Sequence, residues 1–424
     1  MGLAYSVFLM LTTLYKYFLI GNIPWFVVQV GYIAIIGISL FWIFITGEVS
    51  RVSIAIKFIA IYLMPYILML LESLLIWLLN QKGIEMIRRG IIPIAYQALQ
   101  IIAIGAACMM LGKDAAFYTT IGFLLGNAAI VASVLVYRGV ATGIAEMISF
   151  YTSMGDDDNL TSLSLEVHDL TFAMGLLIIY YVGFEKRSFR RTFMLALVII
   201  FFMLGWKRSA IPGVVFCCAI AHYACKLPMN KVYRHVMVAG MLMILLAYLY
   251  IFIVRQGIIE WFSKSYDIDM MGRNEMWGWI EKYYVFSPTF MGQGIGFINE
   301  VMKEAIQSHT AALNHELSIH SDILARYIEL GFVGNLIWSA LTYMYTFFYI
   351  AKHHNFRAGI VYFSCLFFCY ITYFTDNTVS YYHINLALRI LPLSYAYSQI
   401  NEIGDLLQQK DAFLATNKKR KLTI

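Results

Sequence analysis

Residues 272–334 form the only long polar segment of this chain, and the rest of the sequence is organised around them. The segment begins with Gly272-Arg-Asn-Glu-Met-Trp277 and continues with Pro288-Thr-Phe-Met-Gly292-Gln-Gly294-Ile-Gly296. It ends with His320-Ser-Asp-Ile-Leu-Ala-Arg-Tyr-Ile-Glu329-Leu-Gly331-Phe-Val-Gly334. Apolar runs of about 20 residues, the length that crosses a bilayer, precede and follow it. We therefore expect any chemistry where this segment meets a membrane surface.

The composition is typical of a polytopic membrane protein. Of the 424 residues, 61% are hydrophobic and only 13% are charged, whereas a soluble domain carries about a quarter charged residues. The apolar runs should be helices, because lipid offers the backbone no hydrogen bonds. The sequence therefore predicts an all-α, polytopic integral membrane protein with about twelve transmembrane helices and one large extracytoplasmic loop. The predicted spans are 3–20, 24–45, 57–79, 91–111, 116–136, 168–184, 192–206, 209–224, 236–254, 331–350, 358–375 and 381–398.

The spans divide the chain into four predicted parts. Residues 1–254 would form a transmembrane body of about nine helices, and 255–330 the large loop, with short helices of its own. Residues 331–398 would add three closing helices, and 399–424 a basic tail. The first span is expected to stay in the protein, since no cleavage pattern follows it.

Basic residues predict the orientation of these spans, because Lys and Arg concentrate in cytoplasmic loops. The basic connections 185–191, 226–234, 352–357 and the tail at 418–421 all fall on one side if the spans alternate. Both termini are therefore predicted in the cytoplasm, and the large loop outside. The net charge of +6 is spread over these short loops, so we expect no nucleic-acid partner.

A second group of cations falls on the outer side of this topology. Local pairing or snorkelling explains such residues in the ordinary case, and a miscounted span would also explain the adjacent pair Arg88 and Arg89. Lys207-Arg208-Ser209 is different, because it lies in a tight hairpin between apolar helices. Charges in such a position usually face a water-filled cavity and a ligand. The whole group comprises Arg88, Arg89, Lys207, Arg208, Arg255, Arg273 and Arg326.

Other polar residues carry weaker signals. Glu72 lies deep in its span, where an interhelical hydrogen bond is favoured over a proton relay. Asp156-Asp157-Asp158 is interpreted as a solvated outer loop in preference to a divalent-ion site. The six cysteines fall in or beside spans and are expected to be buried apolar residues. We predict no metal site and no cofactor.

The end of the polar segment is predicted to be a helix from Leu317 to Glu329 that leads through Gly331 into the next span. Helical spacing would place two sets of residues on opposite faces. One set could form a local salt-bridge ladder, which would explain Arg326. No acidic residue stands at helical spacing from His320 in the sequence, and its stripe mates are apolar or aromatic. It would therefore face the membrane body, either as a buried hydrogen-bonded residue or as a catalyst. The ladder consists of Asp322, Arg326 and Glu329, and the other stripe of His320, Leu324, Tyr327 and Gly331.

These features resemble the Wzy-type polysaccharide polymerase and O-antigen ligase superfamily of bacterial membrane glycosyltransferases, over roughly residues 205–335. Lys207-Arg208-Ser209 is similar to the family's Ser-Arg turn between two middle spans, with the serine after the arginine. Arg273, Trp277, Pro288 and Gly292-Gln-Gly294-Ile-Gly296 match its outer Arg, Trp, Pro and Gly-x-Gly elements. His320, Leu324, Glu329, Gly331 and Gly334 match its final motif, with Ser321 in place of Asn.

The resemblance implies a substrate, an oligosaccharide carried on undecaprenyl pyrophosphate at the outer face of the bacterial cytoplasmic membrane. Arg208, Arg273, Arg255 and Lys207 would bind the pyrophosphate, because guanidinium groups hold such oxygens with forked, charge-assisted hydrogen bonds.

The resemblance also implies roles for other residues. His320 would be the general base for the acceptor hydroxyl. Further candidates for substrate contact are Tyr327, Asn314 and His315. The expected reaction is direct, inverting transfer without metal or nucleotide sugar. Membrane lipid, a chain-length regulator and a flippase would be the other partners.

Alternative functions remain open at this point. A repeat-unit polymerase and an O-antigen-type ligase share the fold and the leaving group, and the residues do not separate them. A lipid-linked oligosaccharide flippase or another transporter would carry its charges in a central cavity lined by many spans. Here the unusual charges cluster near one outer loop, which favours an enzyme. The chain also lacks the internal symmetry that many transporters show. A purely structural scaffold is the last alternative.

Overall fold

The computed structural model describes residues 1–18, 26–80, 83–152, 168–205, 207, 210–267, 270, 273–307 and 319–399. All regular structure in these ranges is helical. The first part contains α1 (Gly2–Phe18), α2 (Phe26–Thr46), α3 (Val49–Leu79), α4 (Ile84–Leu111), α5 (Ala115–Arg138) and α6 (Val140–Thr152). The middle part contains α7 (His168–Gly183), α8 (Phe189–Leu204), α9 (Ala210–Ala224) and α10 (Met229–Arg255).

Short helices follow in the polar segment. They are α11 (Ile258–Ser265), α12 (Arg273–Ile280) and α13 (Phe297–Gln307), with a 3₁₀ turn at Glu281–Tyr283. The last part contains α14 (Asp322–Ala340), a π-helical turn at Leu341–Tyr345, α15 (Thr346–His353), α16 (Phe356–Thr372) and α17 over 382–399.

The all-helical membrane architecture is confirmed at a coarse level. Helical runs that are long and apolar enough to cross a membrane are Val27–Thr46, Val49–Leu79, Ile84–Arg138 and Met229–Arg255, and shorter apolar helices accompany them. The exact count of twelve spans stays a prediction. Helix α6 (Val140–Thr152) lies between the predicted spans 116–136 and 168–184, where no span is predicted. The acidic residues Asp156–Asp158 lie outside the described residues.

The helices at the centre of the protein are α7, α16 and α17, which are buried on nearly every side. Helices α2, α3 and α10 lie at the periphery and expose large apolar side chains such as Phe44, Leu78 and Leu245. A helix that is apolar all round is either buried in a large core or faces lipid. The arrangement therefore places an apolar outer surface around a packed helical centre.

The two ends of the bundle are distinguished by their contacts. At one end, which we call the tail end, the Tyr397 hydroxyl donates to Arg51 O at 2.7 Å and the Ser394 hydroxyl donates to Lys113 O at 2.8 Å. At the other end, Ile295 N donates to Ser73 Oγ at 3.0 Å and the Tyr250 hydroxyl donates to Phe374 O at 3.1 Å. We call this second end the loop end, because the described part of the polar segment packs there.

Helix α14 links the loop end to the interior of the bundle. Ser321 is its N-cap and accepts a hydrogen bond from Leu324 N at 3.3 Å. The backbone leaves helical geometry at Gly331, with φ 71° and ψ −171°, and then continues. The predicted start at Leu317 was therefore wrong, since helical geometry begins at Asp322. This shift changes which residues share a helix face.

Candidate functional site

The glycine-rich stretch Phe290–Gly296, which we call the glycine loop, anchors the polar segment at the loop end. Gln293 N donates to Ile328 O at 2.9 Å, and Gly294 N donates to Glu329 O at 2.8 Å. In return, Phe332 N donates to Phe290 O at 2.8 Å. The loop thus pairs with the stretch on both sides of the α14 kink.

The glycines of this loop are required by both conformation and space. Gly292, Gly294 and Gly296 have φ values of +92°, +87° and +87°, a region that residues with a Cβ atom rarely adopt. A Cβ on Gly292 would lie 2.5 Å from Gly331 N, and one on Gly294 would lie 2.3 Å from Trp77 Nε1. The motif therefore has a packing role that its sequence alone did not show.

Glu329 connects the glycine loop to Arg326. Its Oε1 atom accepts from Gly296 N at 2.9 Å, and its Oε2 atom accepts from Arg326 Nη1 at 2.8 Å. Glu329 is only 5% exposed, so this ion pair is shielded from water. The predicted ladder is confirmed for Arg326 and Glu329. It is wrong for Asp322, which accepts from Val379 N at 2.7 Å instead.

Asp322 lies against the connection between α16 and α17, which we call the 373–381 turn. Asp322 N donates to Asp376 O at 3.3 Å, and Ile323 N donates to Tyr373 O at 3.4 Å. Asp376 in turn accepts a short hydrogen bond from the Tyr381 hydroxyl. Burial raises the pKa of the Asp322 carboxyl to about 8.

His320 lies just before the N-cap of α14 and not on the helix. Its φ of +47° places it in the left-handed region, which costs a non-glycine residue about 1 kcal/mol or more. The predicted apolar stripe through His320 is therefore wrong. The preceding residue is held in place, because Trp277 Nε1 donates to Ile319 O at 3.1 Å. His320 is partly exposed at the loop end, and strained backbone of this kind is often found at functional sites.

Arg273 contacts the 373–381 turn, which also contacts the start of α14. Its Nη2 atom donates to Thr375 O at 3.2 Å. Its Nε atom is buried and has no hydrogen-bond partner among the described residues. Trp277, one turn later on α12, donates to the carbonyl oxygen of Ile319, the residue before His320. The structure therefore brings two of the predicted site residues, Arg273 and His320, into one neighbourhood.

Other predicted cations have partners of their own. Arg255 forms a close ion pair with Glu281 and lies over the Tyr284 ring at 5.7 Å. The Lys207 amine lies 5.9 Å from the centre of the Phe172 ring. Arg255 and Lys207 thus stay candidates for anion binding. The charge of Arg255 is already compensated in part by Glu281.

The adjacent cations of α4 are paired at the surface. Arg89 lies 3.4 Å from Glu85 and 3.4 Å from Glu300, and Arg88 lies 3.7 Å from Glu85. Local pairing, the ordinary explanation, is what the structure shows. Neither residue needs a ligand to account for its position.

Tyr327 packs inside the protein at the loop end. It is 0% exposed, and its hydroxyl donates to Val285 O at 2.9 Å and accepts from Ser287 N at 3.3 Å. Aromatic rings surround it, including those of Phe286, Phe290 and Phe332. This position in the aromatic core favours a packing role over the predicted contact with a substrate, which stays a prediction.

Three predicted site residues, Arg208, Asn314 and His315, lie outside the described residues. Glu72 is described and packs against Gly334, where a Cβ would lie 1.8 Å from Glu72 Oε1. Its Oε2 atom has no hydrogen-bond partner among the described residues. The packing of Glu72 therefore requires glycine at position 334.

The sequence interpretation missed Arg389 on α17. This residue is 3% exposed. Its guanidinium donates to Gln100 Oε1 at 2.5 Å, to the Tyr66 hydroxyl at 2.7 Å and to Gln97 Oε1 at 2.9 Å. A single arginine in the apolar span 381–398 was the available signal, together with the two glutamines in the span 91–111. Buried charges inside membrane proteins are commonly functional.

A second buried cluster, also missed, joins three helices. His383 Nδ1 lies 2.9 Å from Asp169 Oδ2, and His383 Nε2 lies 2.8 Å from Thr13 Oγ1. Asp169 Oδ1 also accepts from His383 N at 2.9 Å. His383 is 1% exposed, so the cluster fixes α1, α7 and α17 instead of meeting a substrate.

A cavity of about 230 Å³ lies at the loop end, lined in part by Tyr66, Gln97 and Gln100, which accept hydrogen bonds from Arg389. Its polar lining consists largely of hydrogen-bonding groups without acidic side chains, and it includes Tyr66, Gln97, Gln100, Arg326, Ser380 and Tyr382. The cavity wall therefore combines neutral hydrogen-bonding groups with one cation, Arg326, which is paired with Glu329. No family model, curated protein or solved structure matches the chain.

Proposed function

We propose that the chain is a membrane glycosyltransferase that polymerises oligosaccharide repeat units carried on undecaprenyl pyrophosphate. It would have about twelve spans and both termini in the cytoplasm, with the loop end at the outer face of the bacterial cytoplasmic membrane. The proposal rests on the resemblance of residues 205–335. The observation that supports it most is that Arg273 and His320 lie in one neighbourhood at the loop end. Helix α12 begins at Arg273, which donates to Thr375 O, and its Trp277 donates to the residue before His320.

The proposed chemistry follows from the charges that the reaction develops. Cleavage of the bond between the anomeric carbon and the pyrophosphate leaves negative charge on the pyrophosphate oxygen. Arginine stabilises such oxygens without losing its proton, and fixed donors in a shielded site act strongly on the transition state. Arg273 has a buried Nε donor available for this task. Arg208, Arg255 and Lys207 are the further candidates.

The acceptor side of the reaction needs a base. The acceptor is a sugar hydroxyl, which loses its proton as it attacks the anomeric carbon. A neutral imidazole is suited to take that proton near pH 7. His320 is partly exposed and is held in a left-handed conformation, so it is the candidate. Direct attack would invert the configuration at the anomeric carbon.

The test is deletion of the gene in its host, followed by size analysis of the surface glycan and of the lipid-linked pool. The proposal predicts loss of long chains, with single repeat units still on lipid at the outer face. Long chains that stay on lipid would indicate a ligase. Repeat units trapped at the cytoplasmic face would indicate a flippase.

Complementation then tests the residues. Arg273→Ala and His320→Ala should insert normally and fail to restore long chains. Arg88→Ala is the matched control, because Arg88 lies at the same end of the bundle with a side chain 70% exposed. Full-length polymer from both site variants would rule out the proposed roles.

A further inference from the structure

A cleft opens at the tail end of the bundle, where α9 connects to α10. Its volume is about 460 Å³, within the range of about 300–1,000 Å³ that is common for ligand sites. Residues of α9 and α10 form its walls, and Phe363 and Phe367 of α16 also line it. Arg234 and His235 are its polar lining residues, and the others are apolar or aromatic.

The dimensions of the cleft match one acyl chain. Helix α10 begins at this end and reaches the loop end near Tyr250. The cleft follows α10 from Val232 to Leu242, a distance of about 15 Å at the helical rise per residue. This distance is about half of the hydrocarbon core of a bilayer and therefore about the depth of one leaflet. Val238 and Leu242 are each 50% exposed, so the cleft is open toward the apolar outer surface.

The mouth of the cleft is positively charged. Arg234 and His235 are exposed there, and Lys231 is exposed one turn before Arg234 on the same side of α10. The helices that line the cleft lie in residues 186–259 and 330–375, and neither stretch contains an Asp or Glu. Within the described part of the chain, no carboxylate forms a salt bridge with Lys231 or Arg234. The cations at the mouth therefore lack a negative partner from the protein.

The position of these cations distinguishes them from a simple orientation signal. Cytoplasmic connections are rich in Lys and Arg in any case, but an orientation signal requires charge alone. Here Arg234 and His235 form part of the cleft wall. The His235 ring also lies against the Tyr223 ring of α9, with 6.2 Å between the ring centres. This contact joins α9 to α10 and holds the imidazole at the mouth, so the charge and the apolar cleft form one site.

We propose that this cleft binds an anionic phospholipid, with the headgroup at Arg234 and His235 and one acyl chain between α9 and α10. Basic pockets between helices at the cytoplasmic side of a membrane suit such headgroups. The apolar lining takes up the chain, and the headgroup supplies the negative charge that the mouth lacks. The cleft lies at the opposite end of the bundle from Arg273 and His320. The inference is therefore independent of the proposed function.

The experiment measures lipid binding to the full chain, delipidated in a neutral detergent, by native mass spectrometry. The probes are dioleoyl phosphatidylglycerol and dioleoyl phosphatidylcholine, which have the same chains and differ in net charge. The wild type should bind the first phosphatidylglycerol at least about tenfold more tightly than phosphatidylcholine, because two or more cations lie at the mouth. Free glycerol phosphate in excess should not displace the lipid, because it has no chain to fill the cleft.

Two pairs of variants locate the site. Arg234→Gln should weaken phosphatidylglycerol binding about fivefold, the loss expected for one surface cation, and leave phosphatidylcholine binding unchanged. Arg187→Gln is its control, because it removes an exposed cation at the same end outside the cleft lining. Ala239→Phe should fill the cleft and weaken the binding of both lipids. Its control is Ala128→Phe, which adds the same bulk at an exposed position on α5.

Several results would overturn the inference. Equal affinity for the two lipids would show that the headgroup charge is not recognised. An equal loss in Arg187→Gln and Arg234→Gln would assign the preference to the overall charge of the tail end. Unchanged binding in a folded Ala239→Phe variant would place the lipid outside the cleft, and displacement by glycerol phosphate would make the ligand a free anion. If Ala239→Phe melts well below the wild type, the pair of arginine variants decides alone.

Discussion

The glycine loop offers the sharpest test of the architecture, through the substitution Gly292→Ala. An alanine at φ +92° must adopt a left-handed backbone conformation, which costs about 1–2 kcal/mol. Its Cβ would also lie 2.5 Å from Gly331 N and 2.6 Å from Glu329 O. Both neighbours are backbone atoms that hold the α14 kink, so they cannot move as a side chain can. Overpacking of this kind costs about 1–3 kcal/mol more, for a total destabilisation of about 2–5 kcal/mol.

Gly257→Ala is the matched control for this prediction. Gly257 has φ +66°, and nothing lies within 4 Å of a Cβ built on it. It should therefore show the conformational cost alone, about 1–2 kcal/mol. The measurements are thermal unfolding in detergent and the rate of proteolysis within the polar segment. Gly292→Ala should melt lower and be cleaved faster. If the two variants melt together, the close backbone approach at Gly292 does not contribute to stability and the reasoning is refuted.

Three further predictions concern side chains at the loop end. Asp322 has a pKa of about 8 in the folded protein and of about 4 in the unfolded chain. Between these pH values the folded protein therefore binds one more proton than the unfolded chain. Stability should fall between pH 4 and 8 by at most about 1.4 kcal/mol per pH unit. Asp322→Asn should flatten this fall in melting temperatures measured at pH 5 and 8, and parallel curves would contradict the assignment. Arg326→Ala should cost about 3–5 kcal/mol, because it leaves a buried carboxylate unpaired. Adding Glu329→Gln in a double-mutant unfolding cycle should recover part of this loss, and strict additivity would exclude the pair. Tyr327→Phe should cost about 1 kcal/mol in thermal unfolding and leave glycan synthesis intact; loss of synthesis without loss of stability would return Tyr327 to the substrate site.

Features that depend on neighbours in sequence could be predicted, and most of them agree with the structure. Apolar runs gave the helical membrane architecture because burial in lipid requires helices. The spacing of Arg326 and Glu329 gave a real ion pair, since residues three apart on a helix lie side by side. His320 was misplaced for a related reason. Face assignments depend on where the helix begins, and the start moved from Leu317 to Asp322.

Features that depend on distant residues were not visible in the sequence. Arg389 binds residues nearly 300 positions earlier, with separations of 289 and 292 to Gln100 and Gln97. His383 binds Asp169 across 214 positions. No local spacing encodes such contacts. Composition could have marked both α17 residues as unusual, but only the packing of the helices shows what they bind.

The docking of the glycine loop has a consequence for how the protein matures. One surface that receives the loop comes from α3 and α4, where Ser73 binds Ile295 across 222 positions. The other comes from α14, where Glu329 binds Gly294 and Gly296. During synthesis the surface of α3 and α4 that binds the glycine loop stays uncovered until the chain has been extended past Gly331. The loop end is therefore completed near the end of synthesis, so a chain that stalls before α14 lacks the docked glycine loop.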